Sequence, residues 1–154
     1  MEVSVRAAKH GDIDILVNLL RELFEIEEDF IFDDEKQRRG LTLMINSKKD
    51  RIFVAEYRNE VIGMCSVQLL ISTAEGSFVG LLEDMVVKKA HRGTGVGRRL
   101  ITKVEQWSVE QGLTRLQLLG DRNNDPALAF YEKLGWSETK LIGLRKLPGQ
   151  YTDE

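Results

Sequence analysis

Three glycines and three arginines lie between positions 92 and 99, where an apolar strand-like run passes into a helical pattern. The stretch reads Arg92, Gly93, Thr94, Gly95, Val96, Gly97, Arg98 and Arg99. Glycine allows a positive φ and lets a ligand approach the main chain. The free N–H groups of a first helical turn, with about half a positive charge from the helix dipole, attract anions. We therefore expect a phosphate or pyrophosphate site here, although the same residues also suit a tight turn with solvated arginines.

Two nucleotide sites with glycine-rich loops do not fit this stretch. A dinucleotide site needs its glycines after the first strand and an acidic residue about 20 positions later. Here the loop lies past the middle of the chain, and residues 115–118 include no acid. A P-loop ends in Gly-Lys-Ser/Thr, whereas this loop ends in Gly97, Arg98 and Arg99.

The flanking sequence predicts the elements that hold this loop. Apolar residues at helical spacing predict helices over residues 13–24, 34–45, 95–111 and 126–134. Alternating or continuous apolar runs predict strands over residues 3–7, 51–57, 61–71, 78–87, 116–119, 136–139 and 141–144. Asp12 is the expected N-cap of the first helix, and Arg58 and Asn59 form the turn of a hairpin. The order β-α-α-β-β-β-α-β-α-β-β predicts an α/β fold, a mixed sheet with helices packed on it.

The composition restricts the class of protein. The chain has 154 residues, 42% apolar and 31% charged, which favours a single folded domain over residues 1–154 with a short polar tail at 150–154. A net charge of −3 offers no basic field for nucleic acid. No apolar run approaches the roughly 20 residues of a membrane span. The N-terminus has no signal-like segment, so we expect a cytoplasmic protein.

Metal and disulfide chemistry is not expected. Cys65 is the single cysteine, which excludes an intramolecular disulfide and a cysteine-based zinc site. It lies in an apolar run and is predicted to be a buried core thiol. The only histidines are His10 and His91, too few for a histidine metal cluster.

Two motifs in one order point to a known family. Residues 92–97 match the pattern Arg/Gln-x-x-Gly-x-Gly/Ala, and residues 83–87 match the strand that precedes it. The second motif comprises Asn124, Ala127, Tyr131, Glu132, Lys133, Leu134, Gly135 and Trp136. Together, over about residues 3–146, they resemble the GNAT superfamily of acyl-CoA-dependent N-acetyltransferases, although Trp136 stands where that family usually has phenylalanine. The resemblance implies a GNAT-like sheet whose fourth and fifth strands splay apart.

The resemblance also implies where acetyl-CoA would bind. Its pantetheine arm would lie in the gap between residues 78–87 and 115–119. Backbone groups of Met85 and Val87, with Val86 between them, would pair with the arm as an added strand does. The amides of residues 92–97 and the side chain of Arg98 would hold the pyrophosphate, in agreement with the argument from the loop itself. Asn124 would contact the arm, or cap the helix that follows, and one residue can do both.

The reaction implied by the resemblance is acetyl transfer to a primary amine. An amine with a pKa near 10.4 is mostly protonated at neutral pH, so the site needs a proton acceptor. The leaving thiolate benefits from a proton donor, and Tyr131 occupies the general-acid position of the family. The alternative for Tyr131 is a core tyrosine beside Phe130.

The proton acceptor is less clearly marked. Many relatives carry glutamate at the position that is Leu81 here, a departure from the pattern. By strand alternation Glu83 is expected to share a face with Met85 and Val87. A carboxylate in a buried strand is costly without a partner. Glu83 is therefore predicted to be a base, a water anchor or a substrate ligand, with Asp84 as the second choice and a structural salt bridge as the alternative.

The acceptor amine is indicated only in outline. Residues 22–35 carry eight acidic side chains and no basic one, which would attract a small cationic amine. A solvated acidic helix face is the simpler interpretation. Phe24, Phe30, Ile31 and Phe32 lie among these acids and suit helix packing, a binding wall or a homodimer contact. Two other functions stay open: acetylation of protein lysines or N-termini, and non-catalytic acyl-CoA binding.

Overall fold

The structure is a computed structural model that describes residues 2–27 and 29–149. Its internal contacts divide the chain into two compact units, residues up to 118 and residues from 119 onward, which are described in turn. The single-domain organisation stays a prediction. The polar tail predicted at residues 150–154 lies outside the described residues.

The first unit is a five-stranded mixed sheet whose strands follow one another in chain order. The strands are β1 (Ser4–Ala7), β2 (Arg51–Tyr57), β3 (Glu60–Ser72), β4 (Ser77–Val87) and β5 (Leu116–Leu118). Strands β1 to β4 pair antiparallel, and β5 pairs parallel to β4. The helices are α1 (Ile13–Ile26), α2 (Asp34–Asn46) and α3 (Val96–Glu110), with 3-10 turns at His10–Asp12 and Lys89–His91. This arrangement confirms the predicted α/β class.

The hairpin of β2 and β3 turns at the two predicted residues. Arg58 has a φ of 50° and Asn59 a φ of 63°, so both adopt the left-handed conformation. A two-residue turn with positive φ at both positions matches the twist of antiparallel strands. The pairing of Tyr57 with Glu60 closes this hairpin.

The core lies on both faces of the sheet. On one face α1 and α2 pack on the strands, and the buried cluster contains Leu16, Val17, Leu19, Leu20, Leu23, Leu41, Ile52, Val54, Val61, Met64 and Val86. The apolar stripe of α3 is buried as well, and its Trp107 meets the ring of Phe53 edge-on at 5.9 Å. The close approach of α3 depends on Gly63, because a Cβ there would lie 3.3 Å from Leu100.

Asp12 occupies the predicted N-cap position of α1, but its side chain makes no capping bond to that helix. Its carboxylate accepts the Lys9 amide at 2.7 Å and the Arg6 guanidinium at 2.8 and 3.1 Å. Arg6 also donates to Glu56 at 2.7 Å. The hydrogen bond from Arg6 lowers the pKa of Asp12. A residue expected to start a helix thus joins β1, the first 3-10 turn and β2.

The second unit contains α4 (Asp125–Lys133). The two strands predicted at residues 136–139 and 141–144 are wrong, because both segments are irregular in the structure. The apolar side chains of the segment at 141–144 stay exposed, as shown by Leu144 at 90%. Alternating apolar residues favour an extended chain, but a strand also needs a neighbour that completes its ladder of hydrogen bonds. Among the described residues beyond 135, none has such a neighbour.

Candidate active site

The end of β4 forms an open edge of the sheet. β5 pairs only with the segment from Gly80 to Leu82, where Leu82 lies opposite Leu118. β4 continues to Val87, and on that side no described strand pairs with residues 83–87. The predicted separation of the fourth and fifth strands is therefore present. Exposed backbone at such an edge is suited to pair with an extended ligand.

The ladder between β3 and β4 is interrupted by a bulge at Asp84. Its φ of 53° is unusual for a residue with a side chain. Ser66 pairs with Glu83 and Met64 pairs with Val86, so β4 carries one residue more than β3 between these pairs. The strict alternation expected along this strand is broken here.

The bulge changes which side chains share a face. The β3 partners of Glu83 and Val86 are two residues apart, so Glu83 and Val86 face the same side of the sheet. Met85 and Val87 belong to the opposite side. The predicted common face of Glu83, Met85 and Val87 is therefore wrong, because the extra residue at Asp84 shifts the alternation.

The two adjacent carboxyl groups of β4 have different surroundings. Glu83 is exposed and Asp84 is half-buried. Burial and, to a smaller extent, the charge of Glu83 raise the pKa of Asp84 to about 6, against an opposing effect of the Ser66 hydroxyl. The hydroxyl proton of the buried Ser66 is donated to the Glu83 carbonyl at 3.1 Å. A carboxyl that titrates near neutrality is suited to exchange protons.

Cys65 lies opposite the bulge, and its thiol is unreactive in the folded chain. It is fully buried, as predicted, at 0% exposure. Burial raises the pKa of its thiol to about 12, and the carboxyl of Asp84 adds to the shift. Since the thiolate is the reactive form, this cysteine is not a nucleophile in the folded chain.

The glycine-rich loop follows β4 and leads into α3. Gly93 has a φ of 74° and Gly95, the N-cap of α3, a φ of 91°. Positive φ is confirmed at these two glycines. Gly97 instead lies within the first turn of α3, so its predicted positive φ is wrong. Within the described part of the chain, no heavy atom outside the neighbouring residues lies within 4 Å of a Cβ built at either Gly93 or Gly95.

The loop presents a row of unsatisfied donors. Among the described residues, the N–H groups of residues 93–98 find no acceptor, and Gly95 has no side chain that could cap the helix. Arg92 donates to the Val87 carbonyl at 2.8 Å, and Arg99 donates to the Val3 carbonyl at 2.8 Å. Arg98 is exposed. Free N–H groups at a helix start, with an exposed cation beside them, suit a phosphate group.

Residues in and beside the β2–β3 turn contact the segment that leads into this loop. The sequence analysis did not identify these residues. The Lys88 amide donates to the Ile62 carbonyl at 2.7 Å, and the Lys88 ammonium pairs with Glu60. The ring of Tyr57 meets that of His91 edge-on at 5.9 Å. These partners lie roughly thirty residues apart in the chain, so no local pattern in the sequence could have identified them.

The second unit carries the two remaining predicted site residues, both associated with α4. The Asn124 side chain accepts the Ala127 amide at 3.3 Å, which is the predicted cap, and Pro126 lies in the first turn. The half-buried Tyr131 ring meets Phe130 at 5.1 Å and Trp136 at 5.8 Å. Two aromatic neighbours therefore restrict the orientation of this phenol.

Some of the acidic side chains of residues 22–35 cap a helix or form ion pairs within the fold. Asp33 caps α2, and Asp34 pairs with Arg38, which also reaches Asp14. Phe24 stacks on Phe30 at 5.3 Å. The remaining acids include the exposed Glu25, Asp29 and Glu35, whereas Glu28 lies outside the described residues.

The described residues offer neither a metal cluster nor a membrane-spanning helix. Across residues 2–27 and 29–149, no group of three or more histidine, cysteine, aspartate or glutamate side chains is arranged to hold a metal ion. In the same part of the chain no helix is both long and apolar enough to cross a membrane.

Known proteins are similar to this chain in sequence or in architecture. The model of the Acetyltransferase (GNAT) family matches residues 14–136. The thialysine N-epsilon-acetyltransferase of Bos taurus is 31% identical over 142 residues, which cover 86% of this chain and 83% of that protein. The aminoglycoside N(6')-acetyltransferase type 1 of Stenotrophomonas maltophilia is 28% identical over 120 residues, 75% of this chain and 78% of that protein. The crystal structure of a "possible acetyltransferase" from Clostridium difficile 630 shares the fold, with a TM-score of 0.84 over 96% of this chain and 98% of that one at 17% identity.

Proposed function

Because this chain belongs to the GNAT acetyltransferase family, we propose that it transfers an acetyl group from acetyl-CoA to a primary amine of a small cationic molecule. The observation that carries the proposal is the row of N–H groups without an acceptor at residues 93–98, directly after the open end of β4. An extended arm that ends in a pyrophosphate matches this combination of an edge strand and an anion site.

The residues present fit acetyl-CoA, which supplies an acetyl thioester when bound. We propose that backbone groups of Met85 and Val87 pair with its pantetheine arm. The loop amides of residues 92–97 hold the pyrophosphate, and Arg98 adds a whole positive charge. Asn124 contacts the arm while it caps α4.

Tyr131 is the proposed proton donor. Its phenol protonates the departing thiolate, so that the carbon–sulfur bond breaks without leaving a free thiolate in the site. Glu83 is proposed to bind the cationic amine or the water beside it, and to take part in removing its proton. Its carboxylate is exposed at the end of β4 that has no strand partner on the side of β5, which supports this role.

The cationic character of the amine is supported by two kinds of observation. Besides the acids that cap or pair within the fold, Glu25, Asp29 and Glu35 are exposed around the connection between α1 and α2. The similar proteins act, by their names, on thialysine and on aminoglycosides, and both are cationic amines. Acetylation of protein lysines or N-termini is the second candidate within the same chemistry. A homodimer stays a prediction.

A panel of amines tests the proposal. Purified protein is mixed with acetyl-CoA and polyamines, aminoglycosides, lysine analogues or lysine peptides, and release of free CoA thiol is followed against an amine-free control. We expect release with small cationic amines. Binding of acetyl-CoA without release from any amine would favour the non-catalytic alternative, and release only with peptides would favour protein acetylation.

Replacement of the phenol tests the role of Tyr131. Tyr131→Phe keeps the ring and its aromatic neighbours but deletes the donor. General acid catalysis contributes about 10²–10⁴-fold, so single-turnover rates should fall by that factor while acetyl-CoA affinity stays the same. A loss of less than about threefold in the chemical step would be inconsistent with general acid catalysis by Tyr131.

A further inference from the structure

The glycine-rich loop has little support from its own side chains. Gly93 and Gly95 adopt positive φ, and among the described residues no atom outside their neighbours lies within 4 Å of a Cβ built at either. Glycine also has more backbone freedom to lose than any other residue. A ligand that has to order such a loop binds more weakly than one that meets a loop already held in place. The affinity of this site for an anion therefore depends on the contacts that order the loop beforehand.

Such contacts lie on both flanks of the loop. On the side of α3, the Arg99 guanidinium donates to the Val3 carbonyl at 2.8 Å. On the other side lies the 3-10 turn that ends at His91, whose amide donates to the Lys88 carbonyl at 2.8 Å. The Thr94 hydroxyl donates to the His91 carbonyl and so ties the loop to this turn. The position of His91 therefore determines where the row of free amides begins.

The β2–β3 hairpin contacts this 3-10 turn at several points. The rings of Tyr57 and His91, both half-buried, meet edge-on at 5.9 Å with an angle of 65° between their planes. The Lys88 ammonium pairs with Glu60, and the Lys88 amide donates to the Ile62 carbonyl at 2.7 Å. The hydrogen bond from Lys88 and, to a smaller extent, the charge of His91 lower the pKa of Glu60. The hairpin and the turn thus form one cluster of contacts.

Of these contacts, the one between the two rings is expected to matter most. In the ion pair, the side chain of Glu60 is 56% exposed and that of Lys88 35%, and exposed pairs contribute little to stability. Edge-on aromatic contacts contribute more, beyond the area that they bury. Tyr57 is itself held in place, because it pairs with Glu60 across the hairpin and the Arg58 guanidinium lies 5.1 Å from the centre of its ring.

We infer that Tyr57 is a positioning residue for the anion site: its ring holds His91, and through His91 it keeps the glycine-rich loop in the conformation that receives the pyrophosphate. The inference rests on the proposed function and adds to it a residue, outside the loop, that sets the affinity for acetyl-CoA. Because Tyr57 acts through His91, its effect falls on donor binding and not on the chemical step.

Titration calorimetry with acetyl-CoA tests the inference without an amine. Tyr57→Ala should bind roughly 3–10-fold more weakly than the wild type, as the loss of an edge-on aromatic pair would produce. Tyr57→Phe keeps the ring and should bind like the wild type. Phe78→Ala is the control, since Phe78 is an aromatic residue, 44% exposed, at the opposite end of β4 from the loop, and its loss should leave the affinity unchanged.

A double-mutant cycle tests whether the effect passes through His91. Tyr57→Ala and His91→Ala remove the same contact from its two sides, so the double variant should bind about as weakly as the weaker single variant. Effects that multiply in the double variant would show that Tyr57 acts by another route and would overturn the inference.

Two further measurements distinguish positioning from a general loss of stability. With an amine from the panel, Tyr57→Ala should raise the KM for acetyl-CoA and leave kcat at saturating substrates unchanged. NMR order parameters of the amides of residues 91–97 in the free protein should fall in Tyr57→Ala and stay the same in Tyr57→Phe. If Tyr57→Ala does not fold, as judged by circular dichroism, Tyr57→Leu and His91→Ala replace it in both comparisons.

The results separate this inference from the proposed function. A wild type that does not bind acetyl-CoA overturns both. A wild type that binds acetyl-CoA but acetylates no amine overturns the proposed transfer alone, and the affinities of the variants then decide on Tyr57. A folded Tyr57→Ala variant with the affinity of the wild type overturns the inference alone. So does a Tyr57→Phe variant that binds as weakly as Tyr57→Ala, because the hydroxyl and not the ring would then be responsible.

Discussion

The turn from the glycine-rich loop into α3 depends on the backbone conformation of Gly95. Its φ of 91° permits the turn into α3, and the space beside it is free of other side chains among the described residues. Gly95→Asp would add backbone strain and a negative charge beside the N–H groups of residues 93–98. We expect acetyl-CoA affinity to fall roughly 10–100-fold, as the loss of charge-assisted hydrogen bonds would produce. Titration calorimetry measures the change.

A control substitution at Gly76 separates the effect of backbone strain from the effect of a negative charge near the bound ligand. Gly76 also has positive φ, 62°, and also has open space around it, but it lies in the β3–β4 turn. Gly76→Asp should therefore lower stability by a similar amount and leave acetyl-CoA affinity unchanged. Equal affinity of wild type and a folded Gly95→Asp variant would exclude the loop as the pyrophosphate site.

At the scale of elements, the network of Arg6, Asp12 and Glu56 ties β1 and the first 3-10 turn to β2. The Asp12 side chain is only 12% exposed, so its bonds are partly shielded from water. Asp12→Asn should lower the free energy of unfolding by roughly 1–3 kcal/mol, the range for hydrogen bonds to charged groups. The exposed Asp14, at 86%, provides the control, because Asp14→Asn should change stability little.

The same network predicts how stability depends on pH. The pKa of Asp12 is lowered in the folded chain, chiefly by its hydrogen bond with Arg6. A lowered folded-state pKa stabilises the protein fully above the ordinary value near 3.9 and loses that contribution as pH falls through the folded-state pKa. Urea unfolding should therefore show the largest difference between wild type and Asp12→Asn near neutral pH, and a smaller one below about pH 4. A constant difference across that range would contradict the assignment.

At the scale of the whole molecule, Cys65 reports on opening of the sheet. It lies in β3, the central strand, where it is fully buried and its thiol pKa is raised to about 12. A thiol reagent such as Ellman's reagent should find no reactive thiol in the native protein at pH 8 and one per chain in denaturant. Rapid labelling under native conditions would show that the sheet opens locally. The same property keeps the protein itself from consuming the reagent in the thiol-release assay.

Much of the architecture was predictable because it depends on local preferences. Helical spacing of apolar residues predicted α1 and α3, and two left-handed residues marked the β2–β3 turn. Gly93 and Gly95 marked the loop, since positive φ is a property of single residues. The buried thiol of Cys65 followed from its apolar neighbours. For these features the sequence alone was sufficient, because side-chain periodicity and backbone conformation are both read from neighbouring positions.

The remaining features depend on pairing between distant segments, and only the tertiary structure decided them. The bulge at Asp84 arises from the register of β3 on β4, which no window of sequence contains. Because of this bulge, Glu83 does not share a face with Met85 and Val87 as predicted. The half-buried carboxyl belongs to the next residue, Asp84. The segments at 136–139 and 141–144 alternate like strands yet have no ladder partner among the described residues. Residue types and spacing determined which groups could take part in the chemistry, whereas strand register and burial decided the surroundings of the Asp84 carboxyl, because both depend on contacts made across the fold.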